Sequence, residues 1–130
     1  TDGSQIAPSH HEIAYCYLIN VGRIALHYGQ NRLPLLDSLP EVVYRPEDLY
    51  ISRQWGIRTE EWMGYRRTVA EAIVLGEMAE LVGVRGAGER GSYPPSTIRY
   101  PPSTPSLALV DGSLIYWFLE PLPGEARDRI

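Results

Sequence analysis

The chain has 130 residues, 44% of them hydrophobic, and a formal net charge of −4, which suits one soluble domain with a moderate core. No run approaches the ~20 apolar residues that span a bilayer and no secretory signal is seen in the sequence, so no membrane helix is expected within it. The single cysteine, Cys16, excludes an internal disulfide framework and makes the cytoplasm the expected location.

All twelve basic residues are arginine. The acidic balance argues against a generally basic nucleic-acid coat, but arginine forms bidentate phosphate contacts, so a local path for DNA stays open. A GC-rich genome is the plainer and preferred explanation for a lysine-free chain, and this feature decides nothing alone.

The chain opens on Thr1-Asp2-Gly3-Ser4, with Asp2 leading an Asp-Gly-Ser segment. The apolar stretch from Ile13 to Tyr28 is rich in β-branched and aromatic residues. It predicts one long strand bulged near Gly22 or two shorter strands, with a buried helix as the competing choice. Asn31 to Pro40 reads as a turn broken by Pro34 and Pro40, and Glu41 to Tyr44 as a short strand.

A helix is expected from about Glu60 to Val82. Thr59 would cap its start, Glu60 and Glu61 suit its first turn, and Gly83 would close it. Its second half is apolar on nearly every side, so burial against a sheet is expected. Gly83 to Ser106 is rich in proline and glycine without apolar period, a loop or insertion in which Arg85, Arg90, Arg99, Tyr93 and Tyr100 could touch nucleic acid.

Leu107 to Val110 then runs into Asp111-Gly112-Ser113. Four apolar residues ending on an acid describe a central strand, buried on both faces, that delivers Asp111 to a polar site. A second apolar run, Leu114 to Leu119, suits a core strand or an interface. Gly124 to Ile130 reads as the opening turn of a helix, so the chain is expected to be a fragment of a longer polypeptide.

An α/β crossover through the helix can return the chain beside the first strand and bring Asp2 next to Asp111. Two such carboxylates repel unless a cation lies between them, and Mg²⁺ or Mn²⁺ suits oxygen ligands. Glycine and serine after each aspartate would let the backbone turn sharply. A third carboxylate is expected from the helix, where Glu71, Glu77 and Glu80 compete. Glu71 shares a stripe with Leu75, Met78 and Val82, so it is the choice, although an ion pair with Arg67 one turn earlier would also account for it. His10 and His11 lack zinc-ligand spacing, His27 reads as a strand histidine, and Cys16 as a small core residue.

The stretch Thr1 to Tyr28 resembles the opening motif of the NurA family, in forms where DGSQ precedes a Leu-Ile-Asn-Val-Gly strand. Leu107 to Leu114 resembles that family's second acidic motif, and the helix with Arg66-Arg67 ahead of Glu71 resembles its helix with a conserved glutamate. The resemblance implies an α/β fold of RNase H-like type, a mixed sheet with a long helix between its third and fourth strands. It implies that residues 1–130 form part of a nuclease domain carrying the proline- and glycine-rich loop at about 83–106.

The implied activity is Mn²⁺- or Mg²⁺-dependent DNA cleavage, as 5′-to-3′ exonuclease and single-strand endonuclease. The implied partners are single-stranded DNA and duplex ends, a HerA-type hexameric translocase in DNA end resection, and a second copy in a homodimer. Asp2, Glu71 and Asp111 would be the metal ligands and catalytic carboxylates. Further family groups near the C-terminus, including a histidine, have no counterpart here, which leaves activity of this chain by itself open. A non-catalytic scaffold that docks a translocase is the alternative. An adhesion module of the von Willebrand A type fits neither Asp-Gly-Ser segment, since Ile6 and Ile115 stand where serine is required.

Overall fold

The structure, a computed structural model, describes residues 1–8, 15–81, 106–113 and 115–130. His10, His11, Gly83, Leu114 and the loop residues Arg85, Arg90, Tyr93, Arg99 and Tyr100 lie outside the described residues.

Three strands form an antiparallel sheet in the order β1 (Asp2–Ile6), β2 (Tyr17–Ala25), β3 (Leu35–Val43). The helix α1 (Pro46–Leu49) and a 3₁₀ turn at Ile51–Trp55 lead to the long helix α2 (Thr59–Leu81). After residue 105 come a 3₁₀ turn at Trp117–Leu119 and the short helix α3 (Gly124–Arg127). The α/β class is as expected. Among the described residues, however, the sheet is wholly antiparallel rather than mixed.

The strand reading from Ile13 to Tyr28 resolves into one uninterrupted strand. Asp2 pairs with Gly22 and Ile6 with Leu18 in constant register, and Tyr17 to Ala25 pair with Val43 to Leu35 in the same way. No bulge interrupts β2 at Gly22. The turn expected over Asn31 to Pro40 is confined to its first half, because β3 begins at Leu35 and already includes Pro40, opposite Asn20. Proline is tolerated there because β3 is an edge strand, where a missing N–H need not break a ladder. Glu41 to Val43 is thus the end of a nine-residue strand, not a short strand of its own.

Alternation along the strands selects the face that α2 covers. Tyr17, Ile19 and Val21 of β2 are buried, and α2 lies across β1 and β2. Val21 packs with Val74 and Met78, while Tyr17, Ile19, Val43 and Leu49 pack with Met63. A third cluster joins Ile57, Trp62 and Ala126, tying the C-terminal segment to the start of α2, with Trp55 stacked on Trp62 at 5.5 Å. Arg66 fastens the helix to two strands, donating to the Tyr17 hydroxyl at 3.1 Å and to Glu41 at 2.7 Å.

Helix α2 departs from expectation in two respects. Its first hydrogen bond runs from the Trp62 N–H to the Arg58 carbonyl at 2.9 Å, so Arg58 rather than Thr59 opens it. Its second half buries one face only: Glu71, Val74 and Met78 are covered, whereas Ile73 and Leu81 are exposed. One sheet offers a helix one contact surface, and apolar side chains on the far side stay in water.

The segment from Leu107 to Val110 is not a strand. Leu107 and Leu109 are 84% and 69% exposed, and the backbone is extended coil. A strand buried on both faces needs a layer on each side and a row of ladder bonds. Here the hydrogen bond recorded to the β1 side runs from the Thr1 nitrogen to the Leu109 carbonyl, at 3.1 Å. The helix therefore follows a third strand, and no fourth strand is formed among the described residues. The second apolar run is likewise not a strand: Ile115 and Trp117 are exposed, and the chain coils into its 3₁₀ turn.

Candidate active site

One cleft of about 300 Å³ lies where β1, α2 and the segment after Val110 meet. Its walls include Asp2, Gly3, Arg67, Glu71, Asp111 and Tyr116. The three carboxylates selected from the sequence therefore face one space, although Asp2 and Asp111 stand at opposite ends of the chain. Of the three helix glutamates considered, Glu71 lines this cleft, whereas Glu77 and Glu80 are exposed and are not among its lining residues.

Each carboxylate arrives by a different local device. Asp2 is the first residue of β1 and is exposed. Asp111 sits at a true turn, since Gly112 has φ +123°, a conformation that L side chains rarely adopt. Glu71 sits on the covered face of α2, one turn before Val74 and two turns before Met78, and only 6% of its surface is accessible. The Thr1 side chain holds the arrangement by donating to the Glu71 carbonyl at 3.3 Å, while its nitrogen reaches Leu109.

The two Asp-Gly-Ser glycines do unlike work. Gly112 makes a turn, as expected. Gly3 instead lies in the strand, where a side chain would collide with the Glu71 carboxylate and come within 2.7 Å of Arg67 Cγ. Its backbone N–H also donates to that carboxylate. Sequence reasoning missed this role, because the contact joins residues far apart in the chain and no local signal marks it.

Burial pushes the Glu71 carboxyl above its usual 4.5, opposed by the Arg67 charge and reinforced by the charges of Asp2 and Asp111. The Gly3 N–H partly offsets the rise. Arg67 Nε stands 3.5 Å from Glu71 Oε1, the ion pair anticipated as an alternative account of this glutamate. That separation does not make a hydrogen bond, and the buried Nε has no hydrogen-bond partner.

Beyond the carboxylates the cleft is bordered by aromatic rings. Phe118 stacks on Tyr65 at 4.5 Å with planes 2° apart, and Tyr116 tilts against Phe118 at 5.7 Å. Tyr65 donates its hydroxyl to Glu61, which pushes its pKa up to about 12. Cys16 is a half-buried free thiol on no cleft wall, and His27 is half-buried beyond the end of β2.

A family model described as the NurA domain matches residues 1–130. The chain belongs to the NurA family. The match spans both Asp-Gly-Ser segments and the helix between them, so the NurA chain carries a nuclease-family domain. No curated protein and no solved structure matches it. No helix among the described residues of the NurA chain is long and apolar enough to cross a membrane.

The donor set suits a hard divalent cation. Three carboxylates offer only oxygen, two of them are exposed to solvent, and the buried third is destabilised by like charges that a cation would neutralise. Among the described residues, no three acidic, histidine or cysteine groups already stand close enough to hold a metal ion.

Proposed function

We propose that the chain is the front part of a metal-dependent DNA nuclease acting in the cytoplasm, with Asp2, Glu71 and Asp111 as its catalytic carboxylates. The observation that carries this reading is their meeting on one cleft from three remote segments, with Asp2 and Asp111 both acting electrostatically on Glu71. Membership of a nuclease family supports phosphodiester hydrolysis as the reaction class.

Asp2, Asp111 and Glu71 would hold Mn²⁺ or Mg²⁺, which when bound supplies Lewis-acid stabilisation and water activation at neutral pH. The Gly3 N–H donates to the Glu71 carboxylate and so orients it on the wall, while Thr1 ties the Glu71 backbone carbonyl to the start of β1. The aromatic border excludes water from one side and offers ring faces to bases without reading sequence. Arginine on the wall favours the phosphate backbone, which makes binding sensitive to salt. Exonuclease action from 5′ to 3′, single-strand endonuclease action, pairing into a homodimer and work beside a HerA-type translocase in end resection and break repair belong to the same proposal.

Asp2→Ala and Asp111→Ala in the full-length protein test it. Both are expected to abolish Mn²⁺-dependent cleavage of DNA, and wild-type activity in either removes the mechanism. A second reading, a nuclease-like scaffold that docks a translocase, is favoured by the ion pair between Arg67 and Glu71. Metal binding without cleavage by the full-length protein would select it.

A further inference from the structure

We propose that Arg67 stands in for a cation at Glu71, and that a divalent ion enters the carboxylate cluster by displacing its guanidinium. The inference rests on the metal-nuclease reading above. It concerns the order of events at the site and the residue that governs it.

Three ion pairs are recorded among the described residues, and they differ in kind. Arg23–Asp37 and Arg66–Glu41 close at 2.6 and 2.7 Å as hydrogen-bonded contacts. Arg67–Glu71 stays open at 3.5 Å, although Glu71 is the most buried acid of the three. Its sequence order, arginine four residues before glutamate on a helix, is also the weaker orientation for such a pair. The contact balances charge without satisfying a donor.

The Arg67 Nε hydrogen is the unsatisfied donor. It is buried and has no hydrogen-bond partner, so the guanidinium loses little when it leaves Glu71. The stem is held more firmly, since Arg67 Cγ lies against Gly3 with no room for a methyl group between them. Displacement thus becomes a swing of the guanidinium about an anchored stem, and the head remains on the wall of the same cleft. A freed guanidinium there presents planar N–H donors that fit a phosphate oxygen pair. The exchange is one of charge alone: the ion neutralises the carboxylates and the guanidinium is released to bind a phosphodiester.

The test is calorimetric titration of the full-length protein with MnCl₂, without DNA. Arg67→Met keeps the aliphatic stem beside Gly3 and removes the competing charge. It is expected to bind Mn²⁺ about 3- to 5-fold more tightly than wild type, the size of a weak ion pair. Arg67→Gln, a second neutral variant, is expected to do the same, and Arg67→Lys to return the affinity to the wild-type value. A residue that merely orients Glu71 gives the opposite order, and equal or weaker binding by the neutral variants overturns the inference. Wild-type protein that takes up no Mn²⁺ overturns it together with the nuclease reading, whereas Mn²⁺ uptake unaffected by Arg67 leaves that reading standing and removes only this one.

Discussion

Gly3 and Glu71 share one small volume, with the strand backbone donating to a carboxylate that any side chain at position 3 would strike. The nearest atoms are the Glu71 carboxylate, which can swing aside, and Cγ of the Arg67 stem, which has less freedom to yield. Gly3→Ala is expected to cost about 1–3 kcal/mol of stability, toward the lower figure, and to abolish metal-dependent cleavage. Chemical denaturation beside a cleavage assay checks it; full activity in the variant would show that Glu71 can be displaced without consequence.

Gly112→Ala is expected to act differently. Nothing lies within 4 Å of a methyl group there, so the whole effect is backbone strain at φ +123°, of order 1–3 kcal/mol. Because the strain moves Asp111 and not Glu71, only the smallest of the causes that shift Glu71 is touched, and its upward shift through burial should survive this substitution. Proton titration followed by NMR separates the two glycine variants.

The raised pKa of Glu71 fixes the sign of a pH effect in metal-free protein. Burial raises the group above 4.5, so the folded chain holds this proton more tightly than the unfolded chain. Its stabilising contribution is complete below pH 4.5 and is lost as pH rises through the raised value. Glu71→Gln should remove that decline and raise Tm at neutral pH, measured with a chelator present. Asp2→Asn should also lower the Glu71 pKa, since the Asp2 charge is one cause of its rise.

Neighbouring arginines on α2 should part company. Arg66→Met leaves the Tyr17 hydroxyl and Glu41 without their donor and is expected to cost about 1–3 kcal/mol. Arg67→Met should leave stability nearly unchanged. Paired urea titrations decide it, and equal losses would show that both residues are structural.

Much of this was legible in the sequence. The spacing of Glu71, Leu75 and Met78 is local, so α2 and the preference for Glu71 follow from one helical period, although the helix covers Val74 rather than Leu75. The β-branched run indicates strand at β2, but it predicts a bulge or a break near Gly22 where the pairing is continuous. Proline misled at β3, because Pro34 and Pro40 look alike in sequence while only the pairing shows that one precedes the strand and the other lies on its edge. Leu107 to Val110 misled for the same reason: four apolar residues make a strand only where a partner edge supplies the ladder. The reach of Gly3 to Glu71 had no sequence signature, since it depends on how closely a helix settles on a strand.

The bond from Thr1 to Leu109 joins residues 108 positions apart, and the acid between them sits near the middle of the polymer. The stretch from β1 through α2 supplies Asp2, Arg67 and Glu71, and the cleft is completed only when the segment carrying Asp111 docks beside them. Ordering its two ends beside α2 is an entropic cost borne by the entire fold. Catalytic competence should consequently vanish in a single cooperative step on denaturation, and a nick between α2 and Asp111 should silence the site only when the two pieces drift apart.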